Sequence, residues 1–414
     1  MPVILPLEPG VDSDSPRPPN AIVWIAIFAV FMVGGIVIAL LTWPKTDPTN
    51  TPWFWIRLLV LPAVVFGLVF GLRLLYYEQE LERLKAEADA RTRDTEKAIR
   101  FASEPLAVLG CAYLSGLGST DLASKVVHGD TALEAQTAAS GAEGVRHTAL
   151  ESIQGETLAA RYRACFDELV AMMKSKIEAL PHDVPLDVRL HVPDGPERDV
   201  QLDEWRESWR QSSLRRAEPT LLPAEQGLMA LDEWLDIKGG PSLEKFALFV
   251  SVQLHDTPPE GSGEAAVAVL LGWAPLAARR GFDAAAMLHR PVDTLADDLP
   301  RVISKAALWG NAAVQDVKDL WEAGLDNGDA SALLDAASAA KLGATVGTGF
   351  EGLRDLDAAA GHPGICAGWL AVVAAIEHGA RAGSPQCIAW REGALRLAVI
   401  QTIAQAGEQV ETNA

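Results

Sequence analysis

Two long apolar runs, then a charged stretch, then a series of short apolar segments set the plan of this chain. Ala21 to Trp43 carries no charged side chain, and a helix of that length crosses the hydrocarbon core of a bilayer. A second apolar run extends from Trp53 to Tyr77, with Arg57 and Arg73 near its ends, where long stems reach the interfaces. Trp53, Trp55, Tyr76 and Tyr77 stand at the same levels, as interfacial aromatic residues do. Pro62 inside this run predicts a kink that leaves the span intact. The connection from Pro44 to Pro52 is short and polar, so residues 21–77 read as a two-helix transmembrane hairpin.

Arg73, Arg83, Lys85, Arg91 and Arg93 follow the hairpin, whereas only Lys45 and Arg57 lie at its connection. That bias places both termini and everything after residue 77 in the cytoplasm. A cleavable signal peptide fits poorly, because no strongly basic segment precedes the first run and a second span follows it. Gly34-Gly35 and Gly67-x-x-x-Gly71 allow close helix approach, read here as packing of the two spans on each other, with specific dimerisation as the alternative. Residues 1–20 are rich in proline and acidic side chains and read as a disordered cytoplasmic tail. Residues 78–102 mix both charge signs among strong helix formers, giving a solvated helical stalk. Glu87–Arg91, Asp89–Arg93 and Glu96–Arg100 are its expected i,i+4 pairs.

From residue 103 onward, strand-like and helix-like patterns alternate. Asp187 to Val192, Glu244 to Leu254, Ala265 to Leu271, Cys387 to Gly393 and Leu395 to Ile403 read as strands. Leu158 to Leu180, Asp232 to Leu235, Ser331 to Ala340 and Cys366 to Ala380 read as helices. This alternation argues for α/β layers over residues 103–414. No internal repeat is visible.

Several segments carry a resemblance. Leu106-Ala-Val-Leu-Gly110-Cys-Ala-Tyr-Leu-Ser115-Gly-Leu-Gly118 resembles a first strand and glycine turn of the form V-x-G-x-G-x-x-[ST]-x-x-G. Ala224-Glu-Gln-Gly227-Leu-Met-Ala-Leu231 resembles a nucleophile elbow, A-C-x-x-G-x-x-A-L. Gly261-Ser-Gly263-Glu264 with Ala278-Arg-Arg-Gly281 is similar to G-E-G-A and A-x-x-R-G. Gly361-His362-Pro363-Gly364-Ile365-Cys366-Ala367-Gly368 resembles G-H-x-x-G-A-A-G. Together, over about three-quarters of the chain, these resemble the β-ketoacyl synthases of the thiolase-like superfamily. The resemblance implies two similar α/β halves, stacked so that mixed sheets enclose buried helices in five layers. It also implies a homodimer or heterodimer.

It implies a defective site as well. Where the family has its cysteine, this chain has Ala224, and the segment Leu320 to Asp329 lacks the histidine and threonines of the family's H-G-T-x-T. Condensation needs a thiolate to carry the acyl group and donors for the developing oxyanion. An alanine methyl cannot be acylated, so no catalytic residue is assigned; Ala224 and His362 are a vestigial site. Cys111, Cys165, Cys366 and Cys387 read as buried structural thiols. The domain is short for the family, and the loss falls where substrate-lining loops would be.

Composition narrows the rest. A net charge of −20 argues against nucleic acid. The four cysteines and eight histidines show no metal-ligand spacing, so neither a metal nor another cofactor is expected. Asp297-Asp298 and Asp326-Asn-Gly-Asp329 lack the full spacing of a calcium loop and read as solvated turns. Trp205 and Trp209 share a helical face and read as core, with a partner-binding patch as the alternative.

Three functions are open to such a chain. One is a membrane-anchored, catalytically inactive thiolase-like adaptor or scaffold. In lacking the catalytic set, the chain resembles thiolase-like accessory proteins of bacterial type VI secretion, which implies a secretion-associated protein or effector as partner. The second is an acyl-thioester-binding or condensing enzyme at the inner membrane. The third is an unrelated membrane sensor with an α/β cytoplasmic domain.

Overall fold

The computed structural model describes residues 18–44, 48–136, 145–294, 298–346 and 349–403. Most of the expected tail, part of the hairpin connection and Asp297 lie outside them. The chain divides into two compact units, one running through Ala98 and the other beginning at Ile99.

In the first unit, helix Ala21–Thr42 starts at Asn20, whose side chain caps the Ile22 N–H. It packs antiparallel on a second helix. Trp24 meets Phe70 at 5.1 Å, Phe28 meets Phe66 at 4.9 Å and Trp43 meets Phe54 at 5.0 Å between ring centroids. The second helix begins at Pro52–Trp55, widens to a π-turn over Ile56–Val60 and continues as Leu61–Ala102. Pro62 accounts for the π-turn: its ring crowds the carbonyl four residues back and it has no N–H to donate. Gly35 gives Pro62 room, since a Cβ there would overlap the proline ring. Gly34, Gly67 and Gly71 meet nothing within 4 Å, so of the two glycine pairs only Gly35 serves helix packing.

Along the stalk, Arg83 pairs with Glu80 and Glu87, and Lys97 with Asp94. The three i,i+4 pairs expected from sequence do not form. Arg93 instead donates to the Asp89 carbonyl, because a fully solvated side chain gains little from one fixed partner.

Among the described residues the second unit holds fourteen strands: β1 Leu106–Ser115, β2 Glu134–Gln136, β3 Val145–Thr148, β4 Leu186–His191, β5 Pro219–Leu221, β6 Phe246–Gln253, β7 Ser262–Gly263, β8 Ala265–Trp273, β9 Ala286–Leu288, β10 Val292–Asp293, β11 Asp319–Ala323, β12 Leu353–Asp355, β13 Gln386–Glu392 and β14 Ala394–Thr402. The main sheet runs β12-β11-β13-β14-β9-β1-β8-β6-β4-β5, with β10 on β14. Its two ends are built alike. On one side β5, β4 and β6 are parallel, followed by antiparallel β8 and β1. On the other, β12, β11 and β13 are parallel, followed by antiparallel β14 and β9. Numbered within each half, the order is 3-2-4-5-1 both times. The duplication that no sequence repeat revealed is therefore plain in the topology.

Alternation along the strands makes two cores. Val267, Val269 and Leu271 of β8 face one, while Ala266, Ala268 and Leu270 face the other. The outer core of the first half is covered by helices Leu158–Glu178 and Arg198–Gln211. Trp205 and Trp209 are buried there, so the core reading of that pair holds. The inner core lies between the halves and contains helix Ala367–Ala382, which touches β1 and β8 as well as β11, β13 and β14. Covered on every side from Ala367 to Ile376, the helix is apolar all round over that stretch.

This explains a difference from the sequence reading. Among the described residues three helical stretches, not two, are long and apolar enough to cross a membrane: Ala21–Thr42, Pro52–Ala102 and Gly364–Ala382. The third spends its apolar surface inside the protein, with 67% of its window buried, against 0% and 11% for the others.

The helix that occupies the equivalent place in the first half is short, Ala230–Leu235. Gly239 and Gly240, both at positive φ, and Pro241 after them stop any continuation. Arg290, wholly buried, binds the carboxylates of Asp232 and Asp236 on and just after this helix.

Candidate functional site

In each half the connection from the third strand to the central helix carries one of the two residues that the sequence singled out, Ala224 and His362. In the first half this is Leu222 to Met229. Ala224 lies there in a turn after β5, half-buried, ahead of a tight helical turn Gly227–Met229. What engages it is its carbonyl. His191, the last residue of β4, donates from Nε2 to Ala224 O at 3.0 Å. Its Nδ1 accepts from Ser251 Oγ at 3.2 Å, and that hydroxyl stands 3.3 Å from Cys366 Sγ. Cys366 Sγ also reaches the Ala265 carbonyl at 3.4 Å. A single line of polar groups thus links the two connections, and His191, Ser251 and Cys366 are each at most 1% exposed.

Burial sets the protonation of this line. The His191 imidazolium is disfavoured, with its pKa pushed down to about 4, and the Cys366 thiol is pushed up to about 12. The arrangement holds neutral groups that satisfy one another, and none is a nucleophile at neutral pH. Cys165 and Cys387 are likewise buried and held as thiols. Cys111 is only half-buried, contrary to expectation, and its pKa is still raised to about 11 by desolvation and Glu377.

Above Ala224 the same connection meets the turn between β13 and β14. Gly227 sits at φ 31°, and any Cβ there would overlap the Glu392 carboxyl. Glu392 is buried with neither oxygen in hydrogen-bonding geometry. Burial pushes its pKa up to about 7, an effect softened by the nearby Trp390 and Leu228 N–H groups and by Arg396. Leu228, Trp390 and Gly368 close the space beside it: a Cβ on Gly368 would lie 2.6 Å from Leu228 and 2.9 Å from Trp390. Trp369 stacks on Phe249 at 4.9 Å.

In the second half, His362 is fixed by its backbone. Its N–H donates to Gly261 O at 2.8 Å, and its carbonyl accepts from Gly263 N at 2.9 Å. Two segments that the sequence singled out separately are therefore one paired structure. Gly263 is required because a Cβ would overlap the Ala360 carbonyl, and Gly361 because it sits at φ 76° against Ser262. The neighbouring Glu264 is anchored by Arg161 at 2.5 and 3.0 Å and by the Leu150 and His255 N–H groups. Although burial raises its pKa, these donors outweigh it and hold Glu264 below the usual carboxylate range.

The His362 side chain is exposed. Gly364 N donates to its Nδ1 at 3.0 Å, which leaves the proton on Nε2. The ring lies beside Gly324, in the segment Leu320 to Asp329 that lacks the histidine and threonines of the H-G-T-x-T motif. Gly324 N donates to both oxygens of Asp357, whose pKa burial nevertheless lifts to about 6. Glu322 is lifted to about 7 by burial and by Asp355 and Asp357. Asp326, at the far end of that segment, caps helix Asn327–Ala339 by accepting from Asp329 N at 2.8 Å, as a helix-capping turn does.

The structure therefore brings His362 to Gly324 and to Gly261–Gly263, and ties Ala224 to Cys366 through His191 and Ser251. Sequence reasoning missed His191, Ser251 and Glu392. The signals present were slight: a histidine closing an apolar strand, a serine interrupting Phe249-Val-Ser251-Val, and a glutamate before a turn glycine. Among the described residues no group of His, Cys, Asp and Glu is placed to hold a metal ion.

No family model and no curated protein matches this chain. Solved structures do. A ketosynthase from module 1 of the bacillaene synthase of Bacillus amyloliquefaciens FZB42 superposes with a TM-score of 0.56 at 14% identity, over 76% of this chain and 75% of that one. A β-ketoacyl synthase from Burkholderia phymatum STM815 gives 0.51 at 13% identity, over 72% and 100%. A type II polyketide synthase ketosynthase in complex with its acyl-carrier protein gives 0.52 at 12% identity, over 72% and 99%. The second unit has the thiolase-like layered α/β fold of ketosynthases, and the likeness is one of fold.

Proposed function

We propose that this chain is a membrane-anchored thiolase-like protein without condensing activity, acting as an adaptor or scaffold for a protein partner. The observation that carries this reading is the buried line Ala224–His191–Ser251–Cys366. It joins the two connections by side chains in mutual contact, where a condensing enzyme needs a reactive thiolate open to its substrate. The remaining histidine, His362, has no nucleophile to serve. Removal of the chemistry leaves a large folded surface, which a partner can use. The resemblance to accessory proteins of type VI secretion makes a secretion-associated protein or effector the partner of choice. The uncharged helix Ala21–Thr42 and the apolar part of the helix that follows would hold this surface at the inner membrane. The charge bias after residue 77 would place the globular unit in the cytoplasm.

A second reading rests on a cavity of about 210 Å³ beside the short helix Ala230–Leu235, lined in part by Leu222, Trp234 and Phe249. A small apolar acyl group bound there would make the protein an acyl-thioester binder.

Capture of the full chain from detergent-solubilised native membranes separates the two. The adaptor reading expects a stoichiometric secretion-associated protein. Recovery of acyl carrier protein and lipid alone, in every preparation, would remove its support.

A further inference from the structure

The hairpin unit contains a groove of about 480 Å³ between its two helices. Its floor is Ala39 and Pro62, both buried, and its walls are apolar apart from Arg57 at one end. Gly34 opens it laterally, because nothing stands within 4 Å of the place its Cβ would take. Arg57 lies in the π-turn that Pro62 imposes. No described residue offers its guanidinium a hydrogen bond or ion pair, and neither apolar run contains an aspartate or glutamate.

A cation at the mouth of an apolar groove, with no acid beside it among the described residues, is complementary to a lipid. We infer that one anionic phospholipid occupies this groove, its phosphate bound by Arg57 and an acyl chain lying over Ala39 and Pro62. Guanidinium suits this role because it presents several donors in a plane that matches phosphate oxygens. The acyl chain fills the notch left by Gly34, which no side chain of the hairpin fills. The inference rests on the proposal that the hairpin lies in a bilayer.

The test uses the full chain in nanodiscs of phosphatidylcholine containing phosphatidylglycerol, followed by native mass spectrometry after detergent release. The wild-type chain should retain one phosphatidylglycerol in preference to phosphatidylcholine. Arg57→Gln should lower that retention about tenfold, the value of a lost charge-assisted hydrogen bond. Gly34→Leu should abolish it by filling the groove, while Arg57→Lys should recover part of it. Equal retention by wild type, Arg57→Gln and Gly34→Leu would overturn the inference. Vesicle flotation of the same protein distinguishes the two failures. A chain that floats with vesicles but retains no phosphatidylglycerol refutes the lipid site alone. A chain that does not float refutes the anchor and the site together.

Discussion

Gly361→Ala should destabilise the globular unit by about 4 kcal/mol, the sum of a strained backbone and an overfilled contact. Gly361 occupies φ 76°, which an alanine adopts only at a cost, and the added methyl would lie 2.5 Å from the Ser262 carbonyl. That carbonyl is flanked by Gly261 and Gly263, which both bond to the backbone of His362. The methyl therefore cannot be accommodated without breaking the pairing that positions the histidine. Gly263→Ala meets the same segment from the other side and should cost nearly as much. Gly281→Ala is the control: its φ is 73° but nothing stands within 4 Å, so it should cost about 1 kcal/mol from strain alone. Urea unfolding of the full chain in detergent, followed by tryptophan fluorescence, measures all three. A Gly361→Ala cost no larger than that of Gly281→Ala would mean that the pairing does not hold this segment.

Glu392→Gln should stabilise the protein at pH 8 by about 3 kcal/mol and flatten part of its pH dependence. The sign follows from the raised pKa. The unfolded carboxyl releases its proton near 4.5, the folded one only near 7. Below 4.5 both states are protonated and ionisation adds no cost. As pH rises from 4.5 to about 7 the unfolded state ionises and the folded state does not, so stability falls; above 7 the loss is complete. Glutamine keeps the shape and cannot ionise, so the difference between variant and wild type should grow through that window and then level off. Glu322 and Asp357 have raised values too and tilt both proteins the same way, which is why the difference is the quantity to read. A variant that gains nothing at pH 8 would show that Glu392 finds a partner in solution.

The parts of the fold that were legible in the sequence are those fixed by local pattern. The apolar run from Ala265 is strand β8, and the stretch from Leu158 is the helix Leu158–Glu178, begun by its Thr157 cap. Cys366 to Ala380 is the central helix of the second half, displaced by a residue or two. The glycines of Gly261-Ser-Gly263 and Gly361-His362 were legible through the motifs they resemble: Gly263 and Gly361 leave out a Cβ that close backbone pairing forbids, and Gly261 takes a positive φ in open space. Relations between distant residues were not legible. The shared 3-2-4-5-1 order depends on which strands lie side by side, which hydrophobic spacing leaves free when strands are buried on both faces. The line from Ala224 to Cys366 joins four segments whose polar members look unremarkable in isolation. The helix from Gly364 is much less apolar than the two N-terminal ones, and the pattern around it already placed it among the strands and helices of the α/β domain.

The central claim is that the former reaction site is closed by side chains and carries no condensation. The most direct measurement offers the full chain acyl and malonyl thioesters and follows both acyl attachment, by intact mass, and condensed product. Wild type should show neither. Ala224→Cys should show no product either, because restoring a thiol in that turn leaves the His191–Ser251–Cys366 line in place. Condensed product from the wild-type chain, abolished by His362→Ala, would contradict the account.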